Sequence, residues 1–236
     1  MNRNYFKAVR PDGTDFHTGT VHWLPADGEP IPEGGWLVEH PNPGQVGDRD
    51  AAFYLSAATV ETDCTGFLWP GRLLSVEPAA TMWTPYPDSF PRVRAAHTWR
   101  VIEELPAWQL FGPQGRQVAA IIEQESHLTS SQIEGLTALD AALGSARDAD
   151  LGAALVAALD AALVASLEAA RYATWDVAWD GTWDTARAAA RDAALGWLVK
   201  DLISVEDFRT LTGSWTQVMG PIEVTASTAH TEVNND

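Results

Sequence analysis

Apolar and polar residues alternate in short runs through the first hundred positions and then recur at helical spacing, so the pattern predicts strands first and helices afterwards. Strands are expected at Tyr5 to Val9, Val21 to Leu24, Trp36 to Glu39, Ala52 to Leu55 and Leu73 to Glu77, separated by loops rich in proline and glycine. The first ends in Pro11-Asp12-Gly13, a turn signal because proline presets φ and glycine accepts a positive one. The clearest alternation covers Arg92 to Val101. Val93, Ala95, His97, Trp99 and Val101 share one face, and Arg92, Arg94, Thr98 and Arg100 share the other. That is a half-buried strand, with His97 read as a core or rim histidine.

Pro106, Gly112, Pro113 and Gly115 cluster where the pattern changes, which divides the chain into a β-rich domain over 1–110 and a helical domain over 116–220, followed by a polar tail, 221–236. Val118, Ile121 and Ile122 suggest a short helix, and Ser131 with Glu134 has capping-box spacing ahead of Leu136 and Leu139. Leu151, Leu155, Leu159, Leu163 and Leu167 then form a four-spaced stripe in an alanine-rich run. A partner helix over roughly 174–201 carries Trp175, Trp179 and Trp183, with Ala186, Ala190 and Trp197 beyond. Each of the three tryptophans precedes an aspartate, so Asp176, Asp180 and Asp184 make a carboxylate row beside the indoles. A last helix is expected to start after Ser204, with Asp207 at capping spacing, to bury Phe208 and Leu211, and to stop at Gly213. The fold class is therefore α+β: a small mixed or antiparallel sheet followed by an alanine-rich helical hairpin or bundle.

Charge narrows the partners. The net charge is −17, carried as −6 over residues 1–110 and −11 over 111–236, which opposes binding to phosphate backbones or anionic lipid. The apolar stretch from Leu151 to Ala170 contains Asp160 and Glu168, so it is not read as a membrane span. One cysteine, Cys64, forms no intrachain disulfide, and neither a secretory nor a lipidation signal opens the chain, so a reducing, cytoplasmic location is expected. Asp63 beside Cys64 favours an inert thiol.

The run from Tyr5 to Phe16, the segment Arg72 to Glu77 and the run Arg92 to Leu105 resemble an uncharacterised domain of actinobacterial and actinobacteriophage proteins. The alanine, tryptophan and aspartate helices, with Leu198 to Ile203, Leu211-Thr212 and Trp215, resemble C-terminal regions of phage proteins from the same hosts. The resemblance implies a phage or prophage origin and no assigned activity.

Three functions are weighed. The first is an acidic adaptor or host-takeover factor, non-enzymatic, which presents Asp176, Asp180 and Asp184 to a basic host protein and uses no metal or cofactor. The second is a virion or assembly component that packs against itself or other structural proteins, a use suited to eleven tryptophans. The third is an enzyme: the order of His17-Thr18-Gly19-Thr20, Ala52 to Ser56 and Leu73 to Glu77 resembles ADP-ribosyltransferase-like folds. That resemblance implies that His17 holds the nicotinamide ribose of NAD, Tyr54 stacks on the nicotinamide and Glu77 orients the acceptor, although the glycine usual before that tyrosine is missing.

Overall fold

The computed structural model describes residues 4–26, 29–64, 66–139, 141–142 and 181–222. Six antiparallel strands form one sheet: β1 (Tyr5–Val9), β2 (Trp36–Glu39), β3 (Leu55–Ala58), β4 (Arg72–Pro78), β5 (Val93–Ala96) and β6 (Thr98–Leu105). Their order is β2-β6-β4-β1-β3-β5. The class is α+β, as the pattern predicts.

The single strand expected from Arg92 to Val101 is two strands. Its first part pairs with β3, as in Ser56↔Ala95, and its second with β4 and β2, as in Val76↔Val101 and Val38↔Trp99. His97 alone separates β5, at one end of the sheet order, from β6, the second strand from the other end, so the sheet curls back on itself there. The interior of the curl is apolar. Tyr5, Val9, Leu55, Leu74, Val76, Trp99 and Val101 point into it. Trp99 is fully buried, donates from Nε1 to the Leu55 carbonyl at 3.1 Å and meets the Tyr5 ring edge-on at 5.5 Å.

Two expected strands differ. Val21 to Leu24 is not a strand; it makes one bridge, Thr14↔His22, while Val21, Trp23 and Leu24 plug the curl. Side-chain burial, and not ladder pairing, uses these apolar residues. At Ala52 to Leu55 the chain first makes a 3-10 turn, Ala51–Phe53, because Asp50 accepts from the Ala52 amide at 3.0 Å and stabilises the turn over extension; the strand starts at Leu55. The predicted turn after β1 is present: Gly13, at φ 81, donates to the Arg10 carbonyl, and the chain returns through the bridge Val9↔Asp15.

On the other face, Ala8, Ala58 and Leu73 share a core with Leu110, Phe111 and the helices. The segment 106–116 packs between sheet and helices through Leu110 and Phe111, which are buried in a 3-10 turn. Helix α1 (Gly115–Glu125) buries Val118, Ile121 and Ile122. Helix α2 begins at residue 130, and its capping box uses Thr129 and Gln132 in place of Ser131 and Glu134: Gln132 Oε1 accepts from the Thr129 amide at 2.8 Å. Helix α3 (Gly181–Leu198) buries Ala186, Ala189, Ala190, Ala193 and Ala194, small residues that let neighbouring helices approach closely.

Helix α4 (Val205–Met219) starts at the predicted cap, where the Asp207 amide donates to Ser204 Oγ at 3.1 Å. It buries Leu211 and Trp215 and continues through Gly213 to end at Gly220, whose φ is 84. Gly213 stays helical because Ser214 and Trp215 carry buried contacts beyond it. Gly196 of α3 faces α4 so closely that a Cβ there would lie 2.9 Å from the Leu211 Cβ. The leucine stripe 151–167 and Trp175 and Trp179 lie outside the described residues, and Trp183 is half-buried. Among the described residues no helix is long and apolar enough to cross a membrane.

Candidate functional site

The β1–β3 ladder consists of one pair, Phe6↔Ala58. Beyond it the strands part, and a cleft of about 320 Å³ occupies the gap. Residues from both faces of each strand line it, Lys7 and Ala8 from β1 and Leu55 and Ser56 from β3, as a slot between two strands requires. The connecting loops add Asp15, His17 and Thr18 from one side and Tyr86 and Phe90 from another.

Lys7 points inward between Tyr5 and Val9, where a lone ammonium would be costly. Asp15 compensates it: Nζ and Oδ2 lie 2.5 Å apart, both side chains nearly buried, and Nζ sits 4.9 Å from the Trp23 ring centre. Oδ1 of Asp15 accepts from the His17 amide at 2.7 Å and the Thr18 amide at 3.0 Å, which fixes the loop that carries His17 to the mouth of the slot. Burial would raise the Asp15 pKa, but the Lys7 ammonium and the two loop amides outweigh it and hold the carboxyl below its ordinary value.

Tyr54 follows the 3-10 turn and is buried, its ring edge-on to Trp83 at 5.7 Å. Its hydroxyl lies near that of Tyr86, which donates to the Arg49 carbonyl. Burial, with Tyr86 beside it, pushes the Tyr54 phenol well above its ordinary range and keeps it neutral. Phe90 stands half exposed at the rim, edge-on to Tyr86 at 6.3 Å.

His17 and Tyr54, 37 positions apart in sequence, thus line one cleft. Glu77 does not. It lies on β4 in register with Arg100, beyond the Tyr5 end of β1, whereas the slot opens at Lys7 and Ala8. Of the acidic row, Asp176 and Asp180 lie outside the described residues; Asp184 is exposed on α3. Among the described residues no group of three or more His, Cys, Asp and Glu is placed to hold a metal ion. Cys64 is buried behind β1, where burial pushes its thiol up to about 12.

Sequence reasoning passed over Lys7, Ser56, Tyr86 and Phe90. Only Lys7 carried a signal: a charge at an inward position of an alternating strand demands a buried counter-charge, and Asp15 follows the next turn.

His40, behind this loop, is also buried. Its Nδ1 accepts from the Asn42 amide at 3.1 Å, so the ring is neutral there. Burial lowers its pKa and His97 adds to the shift, while Asp15 opposes it; the amide at Nδ1 favours the neutral ring. The unfolded histidine titrates near 6.5 and the folded one lower, so the stability it confers is complete above 6.5 and lost as pH falls through the folded value. Urea midpoints measured from pH 7.5 to 4.5 should fall with pH in the wild type and less steeply in His40→Gln; parallel curves would remove His40 as the cause. The Asp15 contribution is lost at lower pH, because its unfolded value is 3.8.

Comparison with family models, with curated proteins and with solved structures finds no match to this chain, so the function rests on the slot itself.

Proposed function

We propose that the protein acts by binding a small ligand in the slot between β1 and β3. The observation that supports this is convergence: four separate segments send hydrogen-bonding and aromatic side chains to one cleft of about 320 Å³. Ligand pockets run from roughly 300 to 1,000 Å³ and combine apolar walls with a few placed polar groups. NAD is the first ligand to test, because His17 and Tyr54 of the ADP-ribosyltransferase-like reading both line this cleft. The position of Glu77 supports binding and not transfer.

Titration calorimetry and thermal denaturation of the full chain test the reading. Saturating NAD at 100 times its Kd should stabilise the fold by about 2.7 kcal/mol, a rise of a few degrees in Tm. Phe90→Ala, an exposed rim change, should weaken binding without lowering the Tm of the free protein. No response to NAD or to any of nicotinamide, uridine and inosine would overturn the small-ligand reading.

A second reading is the acidic adaptor. Leu202 and Val205 are 57% and 67% exposed at the corner between α3 and α4, beside Asp201, Glu206 and Asp207. An apolar pair ringed by carboxylates suits a basic partner surface. In that case a partner captured by the wild type should be lost by Leu202→Asp with Val205→Asp and released by salt.

A further inference from the structure

We propose that the part of the ligand seated in the slot is an uncharged planar ring bearing a lactam or carboxamide edge, donor beside acceptor, and that this edge takes the place of a strand pair the sheet leaves unmade. The inference rests on the slot being the binding site. Antiparallel pairing from Phe6↔Ala58 would next bring Ala8 opposite Ser56. The ladder stops at Phe6↔Ala58, and that next pair is not formed.

Ser56 nevertheless directs its backbone N–H and C=O towards the gap. On the far side of β3 the Thr59 amide donates to the Arg92 carbonyl, so by alternation Ala58 and Ser56 turn their backbone groups away from β5. The partner of Ser56 across β3, Ala95, uses its own amide and carbonyl on Trp83, in agreement with that alternation. Ser56 thus offers a donor and an acceptor side by side, the complement of a lactam or primary carboxamide.

Charge selects for neutrality. Lys7 and Asp15 are the slot's fixed charges, and they neutralise each other at 2.5 Å. A carboxylate or phosphate placed there would compete with Asp15 for Lys7 and meet its like charge in a poorly solvated site. The remaining walls, among them Phe16, Thr18, Tyr54, Tyr86 and Phe90, suit a ring with polar substituents.

The test uses the full chain with nicotinamide, uridine and inosine, each against the analogue methylated at the amide nitrogen (N,N-dimethylnicotinamide, 3-methyluridine and 1-methylinosine). Calorimetry gives affinity, and ¹⁵N-resolved amide spectra locate the contact. At least one parent should bind, its methylated analogue about tenfold or more weakly, with the Ser56 amide resonance shifting on binding and Phe90→Ala weakening it. Equal binding of parent and analogue, still dependent on Phe90, overturns the edge pairing while the slot reading stands. NAD binding that depends on Phe90 without any parent binding does the same. No binding by any of the panel or by NAD overturns both.

Discussion

Replacing Trp99 with alanine should cost about 3 to 5 kcal/mol of unfolding free energy, read from the urea midpoint at constant slope. The indole is fully buried at the point where β6 leaves the corner at His97, and three things depend on it. It fills the centre of the curl; its Nε1 donates across the interior to Leu55 on β3; and its ring packs edge-to-face with Tyr5. Alanine removes the volume and leaves the Leu55 carbonyl without this donor. Trp99→Phe separates the two losses: it should restore most of the packing and retain a deficit of about 1 kcal/mol from the lost hydrogen bond. A loss below about 1 kcal/mol in Trp99→Ala would mean that the curl does not depend on this side chain.

The second large effect belongs to the buried ion pair. Lys7→Met leaves Asp15 as an unpaired carboxylate in a site that is 4% exposed, and should cost about 3 to 5 kcal/mol at pH 7. The double variant Lys7→Met with Asp15→Leu removes both charges and should recover much of that loss, because a well-packed apolar replacement of a buried pair is often close to neutral. It will not recover the loop. Asp15 also accepts from the His17 and Thr18 amides, so the double variant should fold yet lose slot binding. Equal stability of Lys7→Met and the double variant would show that the charge on Asp15 is not what Lys7 compensates.

The readable parts of the chain were those fixed by local periodicity. Tyr5 to Val9 alternates cleanly and is a strand; Ser204 caps its helix where the spacing places it; Pro11-Asp12-Gly13 turns the chain. Long-range geometry was not readable. Nothing local to His97 announces that its two neighbours pair with strands far apart in the sheet, β3 and β2, since Ala96 and Thr98 are both ordinary strand residues. Val21 to Leu24 carries strand-like residues but serves as a plug, because burial rewards apolar side chains whether or not their backbone joins a ladder. Gly213 reads as a stop, and tertiary packing of Leu211 and Trp215 on α3 overrides it.

The site was half legible for the same reason. Tyr54 and His17 have chemistry that draws attention in any sequence, and the structure places both at the slot. The slot itself comes from a missing strand pair, and a pair that fails to form leaves no mark on residue identity: Ala8 and Ser56 would look the same in a continuous ladder. Tyr86 and Phe90 sit in a loop without periodicity and reach the cleft through tertiary contacts, including the Tyr86 hydroxyl bond to Arg49.

Because β5 runs into β6 at His97, the curled sheet also limits how it can associate with copies of itself. The outer side of β5 is bridged at Ala95 by Trp83, and the other outer strand, β2, is four residues long. It ends at Glu39, with Pro41 and Pro43 following. A short rim that terminates in a charge and prolines is a poor template for a foreign strand. A chain that is 46% hydrophobic can therefore carry a strongly apolar sheet at high concentration with little tendency to grow edge to edge into fibrils.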